Sequence, residues 1–384
     1  LSNVFQNISF ITNESMRLLK NNLQFVKNLN TDFESKFSDT PKKGETISVR
    51  IPTRYVGRTG ETYSAEDHQE KVVTMTVQAT EGVDLQFTNR QLMFNLERFS
   101  ERVLAPAMQV LANKIDRNCI NLAYKATANT VGTPGTVPTA LKTYNQARAK
   151  MSWEGAPQDD ENALLVTPDM QVEIVDTLKG LFHKGDQVDL AYSKGMMGVH
   201  AGAKWYECQN LVTHTIGQQG GSPLTNGTTA DGAVQVVTNG WTASAANRLK
   251  AGDVVTFAGV YAVNPWTRQT TNALRQFVVT ADVASDGSGN ATIPVSPSII
   301  ASGAFQNVTN VPATGQVVAV FGAGSTLTPQ GLRFHRDAYL FGSFTQPTPG
   351  GVEIARSSTD PTTGITLRFI KDWDTKNNVE ITRF

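Results

Sequence analysis

The sequence predicts an α+β chain, and three observations carry that prediction. A period-two hairpin lies between Gly44 and Gly82, a helix-period run spans Pro106 to Ala126, and a charge-poor, turn-rich β block begins near Thr213. Alternation at period two marks half-buried strands, and recurrence at three and four residues marks an amphipathic helix.

The hairpin's first arm sets Ile47, Val49 and Ile51 on one face against Thr46, Ser48 and Arg50 on the other. The return arm repeats this with Val73, Met75, Val77 and Ala79 against Thr74, Thr76 and Gln78. Arms of about ten residues would reach roughly 33 Å. A lone two-stranded ribbon is marginal in water. Its apolar face therefore has to be covered, and a second copy of the chain is the natural cover. The polar tip carries Arg54, Arg58, Glu61, Glu66 and Asp67, read as a charged contact to a neighbouring subunit.

Ahead of the hairpin, Met16, Leu19, Leu23 and Val26 recur at helical spacing behind a candidate N-cap, Thr12. They predict a short amphipathic arm that makes contacts. After the hairpin, residues 83–91 read as a linker leading into a helix over Phe94–Val103. In the long helix, Met108, Leu111, Ala112, Ile115, Cys119, Leu122 and Ala123 form one face; Met108, Leu111, Ile115 and Leu122 are its expected core positions. Pro106 breaks or restarts the helix before it. A helix over Leu141–Met151, a strand Ala163–Val166 and a helix Asp169–Leu178 follow, then a glycine-punctuated turn into a strand ending near Asn210.

Residues 213–329 hold only Arg248, Lys250, Arg268 and Arg275 against Asp231, Asp253, Asp282 and Asp286. Apolar runs at Ala233–Val237, Val254–Val263, Phe277–Val283 and Val317–Phe321 alternate with turn chemistry, which predicts a small barrel or sandwich. Charge returns after Gln330. Strands are expected over Leu332–Phe344, Gly351–Ile354, Gly364–Asp374 and Asn378–Phe384, the last running to the end of the chain as if it continued.

The chain's 384 residues suffice for two or three domains, and 34 basic against 34 acidic residues give zero net charge. A dedicated nucleic-acid binder would carry a basic excess. No apolar run approaches the roughly 18 residues of a membrane span, and no basic-then-apolar leader opens the sequence, so synthesis inside the cell is expected. Cys119 and Cys208 lack metal or redox spacing and read as reduced, buried thiols. The five histidines, His68, His183, His200, His214 and His335, include no pair at helical ligand spacing. There is no Gly-x-Ser-x-Gly elbow. Gly198–Lys204 lacks the Gly-Lys-Ser/Thr ending of a phosphate loop. Asp159, Asp160 and Glu161 read as a solvated loop. No catalytic, metal or cofactor residue is assigned.

The order of elements resembles the major capsid proteins of tailed phages with the Hong Kong 97-like fold. It is closer still to the short-tailed Salmonella-phage coat proteins, which carry an inserted β-barrel. Leu111–Ala123 is similar to the family's spine helix, Gly195-x-x-Gly198-x-x-x-Gly202 with Trp205 to an axial turn and strand, and Lys250–Val260 to a barrel strand pair.

That resemblance implies an arm over 1–43, an extended loop over 44–82 and a peripheral domain over 83–151 and 351–384. An axial domain would occupy 152–212 and 329–350, and an inserted barrel 213–328. It implies pentamers and hexamers of this chain closing an icosahedral phage head around double-stranded DNA, which is held by weak, non-specific contact. Other implied partners are a scaffolding protein, a portal at one vertex and an accessory or decoration protein, with no membrane. The chain would be made in the host bacterial cytoplasm and end in the virion. A loop near Gln218–Gln235, with Asp231, would touch neighbouring capsomers. Only Lys71 lies in the hairpin, on its return arm, so no lysine cross-link is expected. The main alternative is a β-rich surface adhesin or carbohydrate-binding module, suggested by the Thr/Gly-rich block.

Overall fold

Where the sequence alternates, strands form. β1 (Thr46–Ile51) and β2 (Lys71–Thr76) pair antiparallel with Ile47 opposite Met75 and Val49 opposite Val73. The computed structural model describes residues 13–19, 23–31, 46–63, 65–66, 70–78, 80–88, 103–178, 198–244, 247–343, 349–360 and 364–384. They divide into two compact units, one of residues 1–51, 71–119 and 336–384, the other of 52–70 and 120–335. The Thr12 cap and the expected helix up to residue 102 fall on residues outside those described.

The long helix α1 (Ala105–Ala126), which belongs to the first unit up to Cys119, starts with Pro106 in its opening turn, where a missing N–H costs nothing. Leu104, Met108, Leu111 and Ala112 are buried, with Met16, Leu19, Leu23 and Val26 of the arm on one side. Leu367, Phe369 and Phe384 complete this core. They come from a four-stranded antiparallel sheet in the order β18-β19-β20-β3. Its strands are β3 (Asp84–Thr88), β18 (Ile354–Thr359), β19 (Thr366–Asp374) and β20 (Val379–Arg383). Leu367 and Phe369, two apart on β19, point the same way, as period two requires.

Three expectations fail here. Residues 84–88, read as linker, pair with β20 and form the sheet's edge. The strand expected at Gly351–Ile354 begins at Ile354 and runs on to Thr359. Among the described residues the arm is α-helical over 13–19, whereas residues 23–25 lie outside any helix and Val26–Asn28 form a 3₁₀ turn.

Among its described residues the second unit holds a four-stranded sheet, a six-stranded sheet and two short strand pairs. β4 (Asn162–Val166) is buried along its whole length and sits between β17 (Leu332–His335), antiparallel, and β6 (Ala203–Glu207), parallel; β5 (Val199–His200) closes the order β17-β4-β6-β5. Helices α2 (Leu141–Trp153) and α3 (Pro168–Leu178) give Tyr144, Met170 and Ile174 to its core with Trp205. Thr167 caps α3 by accepting the Met170 N–H at 3.2 Å. The strand expected over Leu332–Phe344 stops at His335 and becomes a 3₁₀ turn at Arg336–Ala338.

β7 (Thr213–Thr215) and β16 (Leu327–Pro329) pair where the charge-poor block begins and ends. Between them runs a six-stranded sheet in the order β15-β11-β12-β14-β9-β8. Its strands are β8 (Gly221–Thr225), β9 (Ala233–Trp241), β11 (Val254–Val263), β12 (Thr270–Val279), β14 (Ala291–Ile299) and β15 (Val318–Val320). A small side pair, β10 (Asn247–Leu249) with β13 (Val283–Ala284), flanks it. Thr225 donates its N–H to Gln316 O at 2.9 Å, and Gly315 donates to Thr225 O at 2.8 Å. Those bonds join the two edges, so the sheet closes on itself. Val255, Phe257, Phe277, Val279, Ile293 and Ile299 fill the interior. The β11–β12 register shifts between Thr256 and Tyr261, and Gly259 there adopts φ +76°, the bulge geometry glycine permits.

Candidate assembly surfaces

Six-residue arms give the ribbon a paired length of about 20 Å rather than the 33 Å expected from ten. Val49 is buried, but Ile51, Val72 and Val73 are exposed, so the ribbon keeps apolar surface uncovered within its own chain.

Beyond Ile51 the tip belongs to the second unit, and its side chains are largely engaged there. The Arg54 guanidinium lies 5.8 Å from the ring centres of both Trp266 and Phe305. Arg268 donates to Tyr55 O at 2.8 Å. The Glu66 carboxylate accepts the N–H groups of Val56 and Gly57, both at 2.6 Å. Arg58 donates to Thr62 O at 3.2 Å and to Gly60 O. Arg54, Arg58 and Glu66 thus shape the tip and moor it to its own chain's closed sheet. Glu61, Tyr55 and Tyr63 are exposed, and Asp67 lies outside the described residues.

The arm residues differ from expectation in the same direction. Met16, Leu19, Leu23 and Val26 lie in their own chain's core, so the contact that their spacing predicts is made internally. Met108 and Leu111 are core residues and Ile115 packs against the core. Leu122 is a correction: it is 53% exposed. Asp231 accepts the Ala301 N–H and the Ser302 hydroxyl, each at 2.7 Å, and these bonds hold its carboxyl below the usual range. Its first role is to pin its own loop.

Sequence reading missed Asp116. It sits on α1, fully buried, and accepts N–H groups from Gln24 at 2.6 Å and from Phe25 and Val26 at 3.2 Å. One carboxylate therefore fastens the arm to the long helix. Burial raises its pKa, with the three backbone bonds opposing. A lone acid falling on the apolar side of a helix was the available signal. Nearby, burial and the Asp116 charge push the Cys119 thiol up to about 12, while Cys208 is buried and forms no disulfide.

No group of His, Cys, Asp and Glu among the described residues is placed to hold a metal ion, and none of the described helices is long and apolar enough to cross a membrane. His214 pairs with the buried Asp253 at 2.7 Å, and His335 with Asp159 at 3.1 Å, so Asp159 is engaged rather than merely solvated.

The chain thus combines an arm fastened to the long helix, a ribbon with exposed apolar side chains and a closed β sheet with a filled interior. The family model described as "P22 coat protein - gene protein 5" matches residues 19–384. The chain therefore belongs to that coat protein family and is a bacteriophage major capsid protein. Among solved structures it is similar to one from Mycobacterium phage Che8, with 14% identity over 78% of this chain and 90% of that one and a TM-score of 0.38. A capsid structure of cyanophage P-SCSP1u has 13% identity over 84% and 89%, TM-score 0.37. The CUS-3 coat protein I-domain has 25% identity over 26% of this chain and 94% of that one, TM-score 0.19. No curated protein matches the chain by sequence.

Proposed function

We propose that this chain forms the shell of a Hong Kong 97-like head, as pentamers and hexamers enclosing double-stranded DNA. The supporting observation is the ribbon β1–β2, whose Ile51, Val72 and Val73 remain exposed on strands that have no further strand beside them among the described residues. Unpaired edges with apolar side chains are surfaces that proteins normally cover. In this reading residues 44–82 are the extended loop laid on an adjacent subunit, with Glu61, Tyr63 and the outer sides of Arg54, Arg58 and Glu66 at the contact. Residues 83–151 and 351–384 are the peripheral domain, 152–212 and 329–350 the axial domain, and 213–328 an inserted barrel whose 218–235 loop faces the next capsomer. Scaffolding protein and portal complete the assembly, and the balanced charge keeps packaged DNA from adhering to the wall.

The test is electron microscopy with sedimentation velocity on the full chain, alone and with its scaffolding protein. Closed shells with scaffold, and open or aberrant ones without it, are expected. Deleting residues 56–67 should leave a folded subunit that makes no closed shells. A subunit that stays monomeric under every condition overturns the reading.

A further inference from the structure

Arg333 on β17 has a half-satisfied guanidinium. Its Nη2 donates to Ala201 O at 2.9 Å and Gly202 O at 3.1 Å, in the turn between β5 and β6. Its Nε and Nη1 are buried with no hydrogen-bond partner among the described residues. Arg148 on α2 reaches the same turn: a Cβ on Gly202 would lie 3.3 Å from its Cζ, and its Nε donates to Gln158 Oε1 at 3.2 Å. Burial, and then the charge of Arg148, draw Arg333 down to about 10. Arg275 also has an unpartnered Nε, yet it holds the Glu154 carboxylate. Arg333 has another cation instead. Buried charged donors without partners are costly, and paired guanidinium groups fit carboxylates in a planar fork.

The lobe also carries a complement. Arg333 stands opposite Leu164 at the middle of β4, but its guanidinium reaches the 201–202 turn, which leads into β6 with Lys204 beside Ala163, so both guanidinium groups meet near the start of β4. Helix α3 starts at Pro168, where β4 ends, and its first turns present Asp169 and Glu173 around Val172, which is 67% exposed. Cationic and acidic surfaces thus occupy opposite ends of one strand.

We propose that the exposed Arg148, with the charge of Arg333 beside it, receives the Asp169–Glu173 face of α3 from a second copy of this chain. Such a contact is head-to-tail, the kind that closes identical subunits into rings. It rests on the assembly reading above and names the side chains that would carry it.

Arg148 is exposed and α3's acids lie at the surface, so charge reversal there spares the core. The experiment measures shell yield by sedimentation for wild type, Arg148→Glu, Glu173→Arg and the double variant, with far-UV circular dichroism on each subunit. Each single reversal should lower yield about tenfold and the double should recover most of it, since like charges across a contact repel and the swap restores attraction. Should a reversal misfold, Arg148→Gln and Glu173→Gln replace it, each expected to lower yield, with the double variant no lower than either single one. Wild-type shells with single variants that assemble normally, or a double variant without recovery, overturn the contact alone. No wild-type shells overturns the assembly reading and the contact with it. Inorganic phosphate is the second probe: binding to wild type, lost in Arg148→Glu, with assembly unchanged, identifies an anion site and also overturns the contact.

Discussion

At the residue scale, Asp116 joins two distant segments of the first unit through one buried side chain. Its carboxylate is the partner of three N–H groups, two of them on buried residues, Phe25 and Val26. Asp116→Ala leaves those donors unpaired, and each such loss costs about 1–3 kcal/mol. Urea unfolding should therefore show a loss of roughly 2–4 kcal/mol, and a loss below about 0.5 kcal/mol would refute the anchoring role. Asp116→Asn separates charge from geometry. Because burial raises the folded pKa, Asp116's proton-linked stability is fully present below the ordinary carboxylate range and is lost as pH rises through the raised value. Asp84, Asp231, Asp286 and Asp374 have lowered pKa values, so theirs is lost as pH falls. The Asn variant should remove only the first of these slopes. Nothing in the spacing of α1 could reveal the anchor, because its partners lie some ninety residues earlier in the chain.

At the scale of elements, legibility follows burial on one face. Helix α1 and the pair β1–β2 were readable because each has one apolar side, and the β block because turn chemistry punctuates it. β3 was missed although Leu85 and Phe87 alternate with Asp84, Gln86 and Thr88. Its single alternating stretch is too short to stand out, and only β20 gives it a ladder. The ribbon's length was overread because residues beyond Ile51 contact Trp266, Phe305 and Arg268 instead of pairing with each other. Likewise the sequence marks α2 simply as a helix, yet its C-terminal end grips β12 and the turn before it. Lys150 bonds Gln276, Glu154 pairs with Arg275, and Trp153 O accepts from Asn264 at 3.0 Å. Burial draws Lys150 down to about 8, opposed by Glu154 and reinforced by Arg275. Between pH 8 and about 10.5 the unfolded chain binds more protons at this residue than the folded one, so its contribution to stability rises with pH. Tyr124, Tyr144 and Cys119, all raised, act the opposite way at alkaline pH. The clean measurement is the difference between wild type and Lys150→Met. Wild type should gain on the variant from pH 7.5 to 10, and a constant gap would show Lys150 to be exposed in solution.

At the scale of the whole molecule, the chain leaves and re-enters one lobe through a single paired stem. Thr213–Thr215 and Leu327–Pro329 bring the ends of the intervening segment together, with Thr215 opposite Leu327. A segment with adjacent ends, its own closed sheet and its own buried interior has what independent folding requires. Against this stand the contacts with α2 and the tip, including Arg54 over Trp266 and Glu154 with Arg275. Those contacts lie on the periphery, whereas Phe257, Phe277, Val279 and Ile293 are fully enclosed. Most hydrophobic stabilisation follows the enclosed apolar area. A fragment of residues 213–329 should therefore melt cooperatively, with dispersed amide resonances and a modest loss of stability relative to the same residues in the full chain. Phe277→Ala in that fragment should cost about 3–5 kcal/mol and abolish the transition if the fragment is marginal. Leu327→Ala, at a 61% exposed stem position, should change the melting temperature little. A fragment without a cooperative transition would mean that α2 and the tip are integral to this core, and that the stem marks a crossing of the chain rather than a boundary.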